Sequence, residues 1–305
     1  PPAVAKLNEM LEADIPRPAA PLALPDFCAA RSDPVTLVDG RVVGADRFAR
    51  GADDLRGFAV SPSLDLATLA LASALRDELD LGRGPAVDLL AIGLSATDLI
   101  GHAYGTEGGE MCLQMAALDR ALGEFLATLD ARGVEYLVAL TSDHGGHDTP
   151  ERAQVNAIPD DVRVDKALRP DAFNAAVAQR AGLGGVVVLG TDPAGDFYLA
   201  RSLDAAARRK VTDAALALWR AHPQVREVFT RAQILASPAP AGPPDHWSLL
   251  EEVRASYDPE RSGDFYVVLD PRVTPIDKPE IGYIATHGSP WDYDRRVPLL
   301  FWRPG

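Results

Sequence analysis

Val87-Asp-Leu-Leu-Ala-Ile-Gly-Leu-Ser-Ala-Thr-Asp-Leu-Ile-Gly-His-Ala-Tyr-Gly105 begins as an apolar run and ends as a helical turn. Residues 87–94 have the length and flanks of a strand buried on both faces, which is how strands of a parallel sheet read. Just beyond them, Asp98 and His102 stand four apart, so a single helical turn puts both side chains on one face. That places a carboxylate oxygen and an imidazole nitrogen, both acceptable to zinc, at a strand's C-terminal end, where α/β folds bind ligands. Taken alone, the pair reads equally as a capping Asp and a surface His.

The segments on either side extend this pattern. Upstream, residues 66–81 are rich in Ala and Leu and read as a helix, with Gly82 at the C-terminal capping position. Downstream, Met111, Met115, Leu118, Leu122, Phe125 and Leu129 recur at spacings of three and four, so residues 110–131 form a second helix with one face in the core and Gly133 past its end. Residues 134–141 are the next apolar strand. Strand, helix and strand follow one another within about 40 residues, as in a βαβ unit, and the sheet is expected to be parallel.

The second strand ends in Thr141-Ser-Asp-His-Gly-Gly-His-Asp148, so the same sheet edge is loaded twice. Asp143 and His144 point apart in an extended chain, but the freedom of Gly145 and Gly146 lets them converge on one or two ions. The plainer alternative is a polar loop with an N-cap Asp. A third cluster begins at Thr286-His-Gly, where His287 precedes a glycine and a strand follows at residues 297–302. Three His-containing loops at strand ends in one α/β pattern read jointly as a binuclear metal site.

Residues 1–46 read as an irregular N-terminal segment, and residues 47–149 as the first part of an α/β core. Residues 150–261 are shorter and broken by Pro and Gly. They contain expected helices at 170–181 and 202–221, a hairpin of 186–189 with 196–199, and a Pro-rich loop at 237–244, and they read as an inserted cap region. Residues 262–305 form the second core part, with strand-like runs at 265–269, 282–285 and 297–302.

Composition narrows the partners. The 30 Lys and Arg face 44 Asp and Glu, a formal charge of −14 that argues against a nucleic-acid partner held by bulk charge. Small phosphate esters remain compatible if metal ions outweigh that field locally. No apolar stretch reaches the roughly 18 residues of a membrane span. The Pro-Pro-Ala start has neither Met nor signal segment, which points to a removed leader or a start inside a longer protein. Cys28 and Cys112 are the only cysteines, and their pairing stays open. His147 reads as second to His144, while His222 and His246 read as structural. Arg295 and Arg296 read as a charged turn before a strand, with a phosphate contact as the alternative.

The order Ser-x-Thr-Asp-x-x-Gly-His, then Asp-His-Gly, then Thr-His-Gly followed by Val-Pro-Leu-Leu-Phe resembles the alkaline phosphatase superfamily. Within it, the chain looks like bacterial phosphomonoesterases with a type I phosphodiesterase/nucleotide pyrophosphatase-like core. The resemblance spans residues 58–304. It implies a three-layer α/β sandwich with a mostly parallel central sheet, and two zinc ions per active site. Asp98, His102 and His287 would hold one ion, and Asp143 and His144 the other. The implied activity is phosphate monoester hydrolysis through a phosphoenzyme, with Ala96-Thr97-Asp98 leaning away from the Glu-Pro-Asp of diester-cleaving relatives. In the family, a further Asp ligand and a Thr or Ser nucleophile come earlier, and nothing before Asp98 matches them. The expectation is therefore that an upstream N-terminal segment of the same protein supplies both, and that the protein is periplasmic or secreted. A phosphodiesterase or nucleotide pyrophosphatase, and an inactive metal-binding fragment, are the alternatives.

Overall fold

A computed structural model describes residues 1–32 and 34–304. The chain divides into two compact units. The first comprises Pro1–Arg152, Pro279–Thr286 and Val297–Gly305; the second comprises Ala153–Lys278 and His287–Arg296.

Helices Pro2–Asp14, Ser63–Glu78, Ala96–Tyr104 and Gly109–Ala131 dominate the first unit. The last of these is the helix expected from the spacing of Met111 to Leu129, and it stops where Gly133 takes a φ of +65° and returns its N–H to Asp130. Phe48, Ala96, Ile100 and Leu113 make one buried cluster, in which Ile100 is the inward face of the Ala96–Tyr104 helix. A second cluster joins Val35 and Leu37 to Ile284 and Ala285. Cys28 and Cys112 form a disulfide with a Cα–Cα distance of 5.7 Å, which fastens the Asp26–Ala29 turn to the Gly109–Ala131 helix.

Residues 87–94 are not a strand. They make no ladder, and Val87 and Leu89 are 100% and 90% exposed. An apolar run becomes a buried strand only where neighbours accept its hydrogen bonds on both edges, and among the described residues none pairs with it. Of residues 134–141, only Val138–Thr141 is a strand, and it pairs with Leu299–Trp302 antiparallel, Leu300 opposite Leu140. The two strands form a two-stranded sheet by themselves, so the ladder observed at this edge is antiparallel where a parallel one was expected. Residues 282–285, expected as a strand, form only a bridge from Tyr283 to Glu280, and the N–H groups of Ile284 and Ala285 go instead to the carbonyl of His102.

The second unit has its own sheet, antiparallel throughout, in the order Val188–Leu189, Gly195–Leu199, Phe265–Leu269, Val225–Thr230. The expected hairpin is therefore present, with Val188 opposite Leu199. Phe265–Leu269 was expected to return to the main sheet but pairs inside this one, because Phe265 and Val267 are needed in its core beside Phe197 and Trp219. Helices Pro170–Ala181 and Ala205–Ala221 cover it, and Phe173 stacks on Trp219 at 4.3 Å between ring centroids. The one parallel ladder among the described residues is short, Val162–Arg163 with Val273–Thr274.

Candidate metal centre

Helix Ala96–Tyr104 carries Asp98 in its first turn and His102 in its last. Its start is anchored by Asp65, a buried carboxylate that accepts from the backbone N–H of Ala96 at 3.0 Å and from Gln114 Nε2 at 2.7 Å. Burial raises the pKa of Asp65, opposed by those two donors. The helix ends at Gly105, whose φ of +85° suits glycine.

His102 is held on two sides. Its carbonyl accepts from the N–H of Ile284 at 2.7 Å, and its ring Nδ1 lies 2.8 Å from the carbonyl oxygen of Ala285. A carbonyl only accepts, so Nδ1 carries the hydrogen and Nε2 presents a lone pair. Tyr283 flanks the imidazole, with ring centroids 5.1 Å apart. His144 is fixed in the same way, its Nδ1 lying 2.8 Å from the carbonyl of Gly145.

Both Nε2 atoms face one carboxylate oxygen. Asp98 Oδ1 is 3.4 Å from His102 Nε2 and 3.7 Å from His144 Nε2, and Asp143 Oδ2 is 3.7 Å from His144 Nε2. Its own N–H and the neighbouring His144 hold the Asp143 carboxyl below the ordinary carboxylate value. Oxygen plus imidazole nitrogen gathered in this way is a donor set for a divalent metal. The donors present therefore fit a metal ion.

Of the five residues singled out in the sequence, the structure places Asp98, His102, Asp143 and His144 together in the first unit. His287 opens the segment of the second unit that follows Thr286. Arg295 is engaged inside the second unit by Glu252 and Arg296 by Asp292, which accounts for both as a charged turn. His222 Nδ1 accepts from the N–H of Gln224 at 3.2 Å beyond a helix end, a structural role. Asp65, Tyr283 and the carbonyl of Ala285 went unnoticed in the sequence, because each acts through a contact with a distant segment.

Comparison with known proteins gives the centre its context. The family described as type I phosphodiesterase / nucleotide pyrophosphatase matches residues 33–290. Alkaline phosphatase PhoK of Sphingomonas sp is 49% identical over 306 residues, covering 100% of this chain and 55% of that protein. Alkaline phosphatase PhoD of Zymomonas mobilis is 44% identical over 303 residues, covering 99% of this chain and 52% of that protein. The chain thus spans about half the length of these curated relatives. The crystal structure of wild-type alkaline phosphatase PafA superposes with a TM-score of 0.78 at 22% identity, over 99% of this chain and 58% of that one, and shows the same fold. The chain belongs to the type I phosphodiesterase / nucleotide pyrophosphatase family, within the alkaline phosphatase superfamily.

Proposed function

We propose that the protein is a zinc-dependent hydrolase of phosphate monoesters, an alkaline phosphatase. The observation that carries this is the convergence of His102 Nε2 and His144 Nε2 on Asp98 Oδ1, with both rings oriented by backbone carbonyls. The names of the relatives support the reaction class. Asp98, His102 and His287 would hold one zinc and Asp143 and His144 the second. Bound divalent ions supply Lewis-acid stabilisation of charge developing on phosphate oxygens.

The chain's own residues bind and orient. Asp98 and Asp143 bring negative charge to the centre, and the Ala285 and Gly145 carbonyls keep His102 and His144 in the tautomer that presents Nε2. The reaction passes through a phosphoenzyme on a Thr or Ser that belongs, with one further Asp ligand, to an upstream segment of the same protein. The substrates are small phosphate esters rather than nucleic acid, in keeping with the net charge of −14. The Cys28–Cys112 disulfide supports a periplasmic or secreted location, where such bonds persist.

The test is turnover by the complete polypeptide. p-Nitrophenyl phosphate should be hydrolysed well ahead of bis-(p-nitrophenyl) phosphate, with activity abolished by dialysis against a chelator and restored by zinc. A preference for the diester would move the assignment to phosphodiesterase or nucleotide pyrophosphatase. Undiminished activity after complete metal removal would refute the metal reading.

A further inference from the structure

Asp148 and Arg152 stand four apart around the start of helix Pro150–Val155, and both are buried. Arg152 Nη1 donates to Asp148 Oδ1 at 2.7 Å and to Oδ2 at 2.9 Å, while Nη2 donates to the carbonyl of Tyr104 at 3.0 Å. Asp148 Oδ1 also accepts from the N–H of Thr106 at 2.9 Å. The pair therefore binds the end of the helix that carries His102, two residues before Tyr104, to the loop that carries His144, four residues before Asp148.

The surrounding chain is shaped to admit it. A Cβ on Gly105 would lie 2.0 Å from Asp148 Oδ1, and one on Gly108 would lie 2.9 Å from Arg152 Nη2. A Cβ on Gly101 would meet the Thr106 methyl at 3.8 Å and one on Gly146 would meet it at 3.6 Å, so the methyl lies over both segments. A buried ion pair is weak evidence for stability, because desolvating two charges offsets their attraction. Its stronger use is geometric: a planar guanidinium with several donors fixes both distance and angle.

We propose that Asp148 and Arg152 are a positioning pair for the metal centre, setting the separation of the His102 and His144 segments so that both Nε2 atoms meet Asp98. The proposal rests on the metal reading above. Neither residue touches the ion; each acts through the backbone of the segment it holds.

The test uses the complete polypeptide, stripped of metal and titrated with cobalt(II), read by affinity and by the visible spectrum, with the metal-free melting temperature measured alongside. Replacing both residues, Asp148→Leu with Arg152→Met, removes the pair without leaving a buried charge unpaired. The expected result is a metal-free melting temperature close to wild type, with cobalt affinity reduced about 10- to 100-fold, the range for lost outer-shell partners, and an altered spectrum. Arg152→Lys, which keeps the charge but not the planar fork, should lose less. Wild-type affinity and spectrum in the double variant would overturn the proposal. So would an affinity loss that merely tracks the metal-free melting temperature across the variants. Should the double variant fail to fold, Arg152→Lys decides by the same two readouts. Asp98→Ala is the control: wild-type-like cobalt binding there would sink the metal centre itself, an outcome distinct from failure of the pair.

Discussion

His102 Nδ1 lies 2.8 Å from the carbonyl oxygen of Ala285, across 183 residues of sequence. The contact decides which imidazole nitrogen carries the hydrogen. In metal-free protein at neutral pH, 15N spectra of labelled histidine should show His102 as the Nδ1–H tautomer, and zinc should shift its Nε2 resonance selectively. An Nε2–H tautomer would mean that the ring does not present a lone pair to Asp98.

The Cys28–Cys112 bond closes a separation of 84 residues. By restricting the unfolded chain, a cross-link of this span stabilises by up to about 4.5 kcal/mol, and disulfides typically deliver about 2–4 kcal/mol. Replacing both cysteines by serine should lower the urea midpoint by a corresponding amount, followed by far-ultraviolet circular dichroism. An unchanged midpoint in non-reducing buffer would contradict the staple.

Asp65 gives a pH dependence with a defined sign. Its folded pKa is raised above 3.8 by burial, so between 3.8 and the folded value the native state binds more protons than the unfolded chain. The Asp65 contribution to stability is thus full below 3.8 and is lost as pH rises through the folded pKa. Asp65→Asn has no such titration. The stability of wild type relative to Asp65→Asn should therefore be greatest in acid and decline toward neutrality; a difference flat with pH would refute the assignment.

Leu299, Leu300, Phe301 and Trp302 are exposed in the ladder with Val138–Thr141, and Val87 and Leu89 are exposed just before the Ala96–Tyr104 helix. Apolar strands left open in this way invite edge-to-edge association. Residues 1–305 expressed by themselves should aggregate at micromolar concentration and bind an apolar dye. A monodisperse monomer by light scattering would show that these faces tolerate water.

Much of the helical structure was legible because its signals are local. The three-and-four spacing from Met111 to Leu129 marked the Gly109–Ala131 helix, and the helix expected at 170–181 is Pro170–Ala181. Strands were less legible. Residues 87–94 and 265–269 are both apolar runs, yet one is unpaired and the other lies in the second unit's sheet, since pairing depends on the neighbour and not on the run.

The sequence by itself determined the chemistry available: Asp98 and His102 on one helical face, Asp143 and His144 before a flexible Gly-Gly, and His287 in a Thr-His-Gly turn. Only the tertiary structure decided that Asp65 anchors the Ala96–Tyr104 helix, that Ala285 sets the tautomer of His102, that Cys28 meets Cys112, and that Asp148 and Arg152 join the segments carrying His102 and His144. The division has a physical cause. Periodicity and capping are decided by backbone geometry within a few residues, whereas a hydrogen bond between distant segments forms only once packing has brought both partners out of water.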